Sequence, residues 1–543
     1  MKNRFVNAML AASVLSALIL PASISAEDTK EVLVPLRSSA EALGADVQWL
    51  PSDKAIRVSL GDKEWRVQLN QSQSTLNGGA FNLSSAPVQN KELVTLVSLA
   101  SFNKALAVDV DWNSTDGINI EHADTRTKAL YFMARMKQGK FENAEQLLNS
   151  SLKVKLPIEQ LSLMPIKIGS LFGTSWTLLK ADSNQSLVHR NERLVYKTPQ
   201  GAVFALELRF DKQGLLDDIG LVTDVSSNYK APSYDHPDQY IEKEVVIGQS
   251  PFQLPGVLTL PKGEGKFPVV VLVHGSGPND RDESIGGSKM FRDLAGGLAN
   301  KGIAVLRYDK RTREYPIRSD FPKFTVKEET IDDAIYAVQA LKAEEKIDTS
   351  QIYVLGHSQG GMLIPRILEA DTDKSIAGAM LMAAPSGSLE DLVIKQYEGA
   401  IERYRAAGVP ESAIAQIEQV IQYYKIIKDP QYSKDNLPQQ FPLGNAYWWY
   451  DFRNYSGPEI AKKQQVPLFI AQGENDVQVD KSNLDVWKQD LAGRSNVVYK
   501  SYPALTHLFV PYDKPSTGNE YALSANVPEQ VVLDLADWIH SKK

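Results

Sequence analysis

The 543-residue chain has no cysteine. That removes disulfides, thiolate metal sites and a cysteine nucleophile together. Basic residues are not in excess. Lys and Arg number 59 against 66 Asp and Glu, for a net charge of −7 and a pI near 5.7. A nucleic-acid partner wants a basic face, so none is expected. Long apolar runs are missing beyond the first residues, so no membrane span is expected in the mature chain. The exception, "FVNAMLAASVLSALIL", follows Lys2 and Arg4 and precedes the small residues "PASISA". It is shorter than the roughly 20 apolar residues of a span. Residues 1–26 therefore read as a secretory signal, cleaved after Ser25 or Ala26, and the mature protein is expected to be exported or held at the cell envelope. Without cysteine there is no lipoprotein attachment site. What is present is globular in composition, 43% hydrophobic and 23% charged, over a length that suits two to four domains.

An internal repeat opens the chain. "VPLRSSAEALGADVQW" at 34–49 aligns without gaps on "VSLASFNKALAVDVDW" at 97–112, with eight of sixteen positions identical. Each copy runs from a short helical pattern through Asp-Val-x-Trp into an alternating, strand-like stretch. This region, 27–123, resembles the copper amine oxidase N-terminal-like domain of exported bacterial proteins. A single histidine, His122, and no ligand cluster argue against a copper site there, and the expected role is a stalk or attachment module, with a cell-envelope polymer as the expected partner. Residues 124–228 read as a small α+β unit, similar to a domain that often precedes exported hydrolases. "YKAPSYDHPDQY" at 229–240 reads as a linker, which makes the catalytic unit an independent body.

Residues 229–543 alternate short apolar runs with helical patterns. "PVVVLVHG", "IAVLRYD", "IYVLGH", "GAMLMAAP" and "VPLFIAQGEND" fit strands buried on both faces of a parallel sheet. "TIDDAIYAVQALKAEEK" and similar stretches fit the crossover helices between them. The fold class is thus α/β, a mostly parallel doubly wound sheet behind two small α+β modules. About 80 extra residues, 386–465, separate two of the strands and form an expected helical lid, with the aromatic cluster "AYWWYDFRNY". Trp448, Trp449 and Tyr450 are its candidates for a substrate pocket.

Inside this unit stands "YVLGHSQGGML". Gly356-His357-Ser358-Gln359-Gly360 is a G-x-S-x-G pattern, weak alone. Its setting strengthens it: a strand before, a helix after, a glycine loop upstream, and an acid and a histidine downstream. Ser358 is the expected nucleophile, on a turn whose strained angles lift the hydroxyl clear of the sheet. The loop His274-Gly275-Ser276-Gly277 and the first helical residue offer N–H groups for an oxyanion. Gln359 is one expected donor and Ser276 the other, with Gly277 as alternate. Asp476 follows a strand, with Glu474 as rival acid. His507 follows the next strand, and the order Ser–Asp–His is the α/β-hydrolase order. Such a site needs no metal and no organic cofactor. The charged runs Asn279–Glu283 and Asp309–Arg311 fit either a brace for the oxyanion loop or direct substrate contact.

Residues 240–541 resemble bacterial α/β-hydrolases of the dienelactone-hydrolase-like group, and more closely an exported carboxylesterase subgroup. The resemblance rests on "LTLPKGEGKFPVVVLVHGSGPNDRDE", "GIAVLRYDKR", "GHSQGGMLIPRI" and "GENDVQV". It implies a Ser–His–Asp hydrolase of carboxylic esters, and small substrates with short to medium acyl chains are expected. True dienelactone hydrolases use a cysteine, so their substrate does not transfer. "GENDVQV" with "YPALTH" also resembles prolyl-oligopeptidase-type peptidases, which leaves a peptidase or amidase as the second reading. A non-catalytic envelope-binding protein is the third.

Overall fold

The computed structural model describes residues 31–223 and 228–542. The expected signal at 1–26 lies outside the described residues. Among the described residues, no helix is long and apolar enough to cross a membrane.

The catalytic unit is built on one eight-stranded sheet: β1 (Tyr240–Ile247), β2 (Leu254–Pro261), β3 (Phe267–Val273), β4 (Ala304–Tyr308), β5 (Ile347–His357), β6 (Ile376–Met382), β7 (Leu468–Gly473) and β8 (Val497–Tyr502). Their spatial order is β1-β2-β4-β3-β5-β6-β7-β8. β1 and β4 flank β2 antiparallel, and all later pairs are parallel. The reason is visible in β3, "FPVVVLV", which shows no polar alternation because neither face meets water. Val269, Val271 and Val273 point into one apolar cluster, and Val270 and Leu272 into the other. Each such side chain contributes about 1.5–3 kcal/mol on burial. Helices α1 (Met290–Ala299) and α7 (Glu529–His540) cover one face through Phe291, Leu294, Val531 and Leu535. Helices α2 (Asp332–Leu341) and α3 (Gln359–Ala370) cover the other through Ala334, Val338, Met362 and Ile367.

Between β6 and β7 the chain leaves the sheet. Helices α4 (Leu389–Ala406) and α5 (Glu411–Ile427) form a hairpin closed around Ile401, Ile414 and Ile421. The short α6 (Ala446–Phe452) follows, its first turn capped by the Asn445 side chain, which accepts from the Trp448 N–H.

In the N-terminal repeat, the strand Leu33–Pro35 pairs antiparallel with Thr95–Ser98, and Val34 faces Val97. These two valines occupy equivalent positions of the repeat, so the copies meet about a local two-fold. The four-stranded sheet spanning Thr177–Val222 and the helices before it share one apolar cluster with the repeat, from Val34 through Phe132 to Ile219.

Candidate active site

The strands β3, β4, β5, β7 and β8 all release their loops at one sheet edge, the carboxyl edge where α/β sheets carry ligands. β5 ends at His357 and α3 begins at Gln359, so Ser358 alone makes the turn. Its backbone stands at φ +53°, ψ −120°, a conformation that L residues rarely adopt. Two glycines make the turn sterically feasible. A Cβ at Gly356 would fall 2.4 Å from the Gly360 carbonyl, and one at Gly360 would fall 2.4 Å from the Val273 oxygen. The strain is held by the Ser358 N–H, which donates to Met382 of β6 at 2.9 Å, and by the Met362 N–H, which donates to the Ser358 carbonyl at 2.9 Å.

Asp476 and His507 lie in neighbouring loops that are stitched together by their backbones. The Glu474 N–H donates to Tyr502 and the Asn475 N–H to Leu505. The Asp476 carboxylate is buried. Its Oδ1 accepts from the backbone N–H groups of Gln478 and Val479 at 2.8 and 2.9 Å. Its Oδ2 accepts from Gln472 Nε2 at 3.0 Å and meets His507 Nδ1 at 2.7 Å. This fixes the imidazole plane and leaves Nε2 as the nitrogen not engaged by the acid. Glu474 instead faces solvent, 3.6 Å from the Lys481 ammonium. The ring of His507 lies against that of His357, centroids 4.7 Å apart, one residue before the serine. Among the described residues no hydrogen bond joins Ser358 Oγ to His507; such bonds commonly tighten only when substrate is bound.

The loop expected to hold the oxyanion is braced from beneath. The Gly275 N–H is taken by Glu283 Oε1 at 2.7 Å, which leaves Ser276 and Gly277 as the exposed part of the loop. His274 is buried and its Nε2–H donates to the Asp280 carbonyl at 3.0 Å. Arg281 grips Asp309 by two side-chain bonds of 3.2 and 2.7 Å, and its own N–H adds a third at 2.8 Å. Arg307 joins Asp282 to Glu242. The two charged runs are thus paired with each other and with the loop, the arrangement a brace requires. Opposite them, Gln359 opens the twelve-residue α3, whose first-turn N–H groups lack helical partners and carry the positive end of the helix dipole.

Sequence reasoning passed over a buried acid–imidazole pair behind the serine. Glu283 Oε2 lies 3.1 Å from His357 Nδ1, an ion-pair distance with imperfect hydrogen-bond geometry. His357 Nε2–H donates to the His507 carbonyl at 2.9 Å. Burial works against both charges. The pairing outweighs it, holding Glu283 below the usual carboxylate range and His357 above the usual imidazole range. One carboxylate thus ties together the oxyanion loop, the elbow and the histidine loop.

The lid aromatics divide. Trp448 Nε1–H donates to Glu329 Oε2 at 2.7 Å. Trp449 packs edge-on against Trp448 and Tyr424. Tyr450 turns into the lid itself: its O–H donates to the Ile426 carbonyl at 3.0 Å, and its ring meets Tyr432, Phe441 and the Arg453 guanidinium.

Esterase EstD of Thermotoga maritima is 32% identical over 424 residues, which cover 76% of this chain and 94% of that protein. The chain belongs to the EstD esterase family. It is a carboxylesterase-type hydrolase with the α/β-hydrolase fold. Residues 267–513 match the serine aminopeptidase, S33 family, and residues 22–120 match the copper amine oxidase N-terminal domain. Among solved structures, Est1E from Butyrivibrio proteoclasticus aligns at TM-score 0.36 and 15% identity, over 55% of this chain and 98% of that one. The Pyrococcus furiosus esterase Pf2001 aligns at TM-score 0.37 and 18% identity, over 58% and 97%. The EstD match spans more than the catalytic unit, since 424 residues exceed the 315 from Asn228 to Lys542.

Proposed function

We propose that this EstD-family esterase cleaves small carboxylic esters of short to medium acyl chains by a Ser–His–Asp acyl-enzyme mechanism. Ser358 Oγ attacks the acyl carbonyl. His507 takes the hydroxyl proton on Nε2 and returns it to the leaving alkoxide. Asp476 fixes the tautomer and stabilises the imidazolium. The N–H groups of Ser276 and Gln359 receive the oxyanion. Water then repeats the cycle on the acyl-enzyme, releasing the acid and restoring Ser358. The observation that carries this reading is the buried 2.7 Å contact of Asp476 with His507 Nδ1, beside a serine held at positive φ. Export, and attachment to an envelope polymer through the N-terminal repeat, complete the proposal and rest on the sequence alone.

The test is labelling and turnover together. Wild type should react with a fluorophosphonate and hydrolyse p-nitrophenyl acetate and butyrate. Ser358→Ala should lose both while keeping its circular dichroism and melting temperature. Faster hydrolysis of peptide amides than of esters would move the protein to the peptidase reading. Retained ester turnover in Ser358→Ala would end the serine assignment.

A further inference from the structure

Lys310 is a buried lysine, 2% exposed, directly behind the oxyanion loop. Its ammonium donates to the Gly275 carbonyl at 2.8 Å and lies 2.7 Å from Glu329 Oε1. That carbonyl is one end of the peptide unit whose other end is the Ser276 N–H. The peptide bond is conjugated, so a cation at its oxygen draws density from its nitrogen. The N–H becomes a stronger donor, as in any chain of hydrogen bonds that polarise one another. Asn279 Nδ2 shares the same carbonyl at 3.2 Å, and the Lys310 N–H donates to the Asn279 carbonyl at 3.1 Å, so the ammonium meets a loop already fixed in place. Glu329 stands on the π-helical turn Lys327–Ile331 that leads into α2. Its second oxygen accepts from the Trp448 indole of the lid. A single chain of contacts, buried at Glu329 and Lys310, therefore runs from Trp448 to the Gly275–Ser276 peptide.

The geometry points to Lys310 as a positioning residue of the oxyanion hole, tuning the Ser276 N–H through the Gly275 carbonyl, with Glu329 coupling that hole to the seating of the lid through Trp448. This rests on Ser276 being an oxyanion donor. A residue that only stabilised the loop would affect substrate and transition state alike. One that tunes the donor must act on the charged tetrahedral state and spare the ground state.

The experiment compares wild type with Lys310→Met in the full chain. It uses a trifluoromethyl ketone, which adds the serine to form an oxyanion, and the matching methyl ketone, which stays planar. Losing a direct oxyanion donor lowers kcat about 10²–10³-fold, and polarisation at one remove should give about 10- to 100-fold. KM should stay within about two-fold. Affinity for the trifluoromethyl ketone should fall by the same factor as kcat, with methyl ketone affinity unchanged. Should Lys310→Met fail to fold with Glu329 left unpaired, the neutral pair Lys310→Met with Glu329→Gln gives the same reading. Trp448→Phe keeps the ring and removes the N–H. It should lower kcat and trifluoromethyl ketone affinity together, by a smaller factor that is the same for acetyl and hexanoyl esters. Unchanged trifluoromethyl ketone affinity in Lys310→Met, or kcat and methyl ketone binding falling together, would overturn the inference. A wild type that binds the trifluoromethyl ketone no better than the methyl ketone would instead overturn the active-site reading beneath it.

Discussion

At the scale of single residues, the acid has a rival, because two carboxylates follow β7. Burial and bonding separate them. Asp476 has both oxygens engaged, by two backbone N–H groups, Gln472 and His507, while Glu474 meets only a solvent-facing lysine. Asp476→Asn should therefore lower kcat/KM by about 10⁴, because an amide presented to Nδ1 favours the wrong imidazole tautomer. Glu474→Gln should stay near wild type. Steady-state rates on p-nitrophenyl acetate decide it, and the reverse pattern would move the acid to Glu474. As members of a candidate triad, Ser358 and Asp476 were legible because each follows a recognisable apolar strand, and His507 because it comes after them in the expected chain order. Glu283 and Lys310 were legible only as members of charged runs that fit a brace or a substrate contact, and Glu329 was not legible as part of the site. An acid within "NDRDES" and a lysine within "YDKRTR" do not disclose which loop atoms they meet, and an acid within "VKEETI" looks like solvated surface. Only the folded chain reveals that all three are buried.

Among the elements, the same logic explains what the sequence disclosed and what it concealed. β3, β4, β5, β6 and β7 announce themselves because strands buried on both faces are continuous apolar runs. The strand Thr177–Gln185 did not, since "TLLKADSNQ" is an edge strand with almost all of its side chains in water. The helix Ile158–Phe172 was masked by Pro165 and Gly169 within it. The lid was legible as an insertion, yet the direction of its aromatics was not. Trp449 remains the best test of a pocket wall, because Trp448 is bonded to Glu329 and Tyr450 is spent inside the lid. If Trp449 bounds the acyl site, each added methylene gains up to about 0.8 kcal/mol until the wall is reached. Wild-type kcat/KM should climb with acyl length and then drop. Trp449→Ala should shift the drop to longer chains and leave acetyl esters unaffected. An unchanged length profile would assign Trp449 to lid packing.

Across the whole molecule, the catalytic unit, expected to be an independent body, is braced by the small α+β unit before it. The sheet of residues 177–222 meets the catalytic unit through buried charges. His189 Nε2 contacts Asp217 Oδ2 at 2.8 Å and Nδ1 contacts Glu314 Oε1 at 2.6 Å. Arg318 pairs with Asp217, and Arg209 lies 3.4 Å from Glu314. The Asp218 carboxylate accepts from the backbone N–H groups of Ile317 and Arg318. A chain starting at Asp238 would leave Glu314 and Arg318 without these partners. Since Glu314 sits four residues after Lys310, the N-terminal unit supports the segment that carries the oxyanion brace. The sequence could not show this, because every contact between the two units spans about 100 residues or more and involves ordinary charged side chains.

His189 makes that support pH-dependent, with a sign that follows from its surroundings. Burial opposes its protonation, but the bonds and charges of Asp217 and Glu314 outweigh burial and push its pKa up to about 8 from 6.5. A group whose pKa is raised by folding stabilises fully below its unfolded value and loses that contribution as pH rises through the folded value. The window is therefore pH 6.5 to about 8, and the stake is on the order of 1–2 kcal/mol. The other shifted acids of the cluster act lower: Asp217 is held below its usual range, and burial first of all pushes Asp218 up to about 6. Scanning calorimetry of wild type and His189→Gln at fixed ionic strength should show wild type more stable at pH 6, with the difference shrinking between pH 6.5 and 8 and gone by pH 9. A stability gap that stays constant across this range would mean that His189 holds the two units together by packing against Tyr315, 5.3 Å from its ring, rather than by charge.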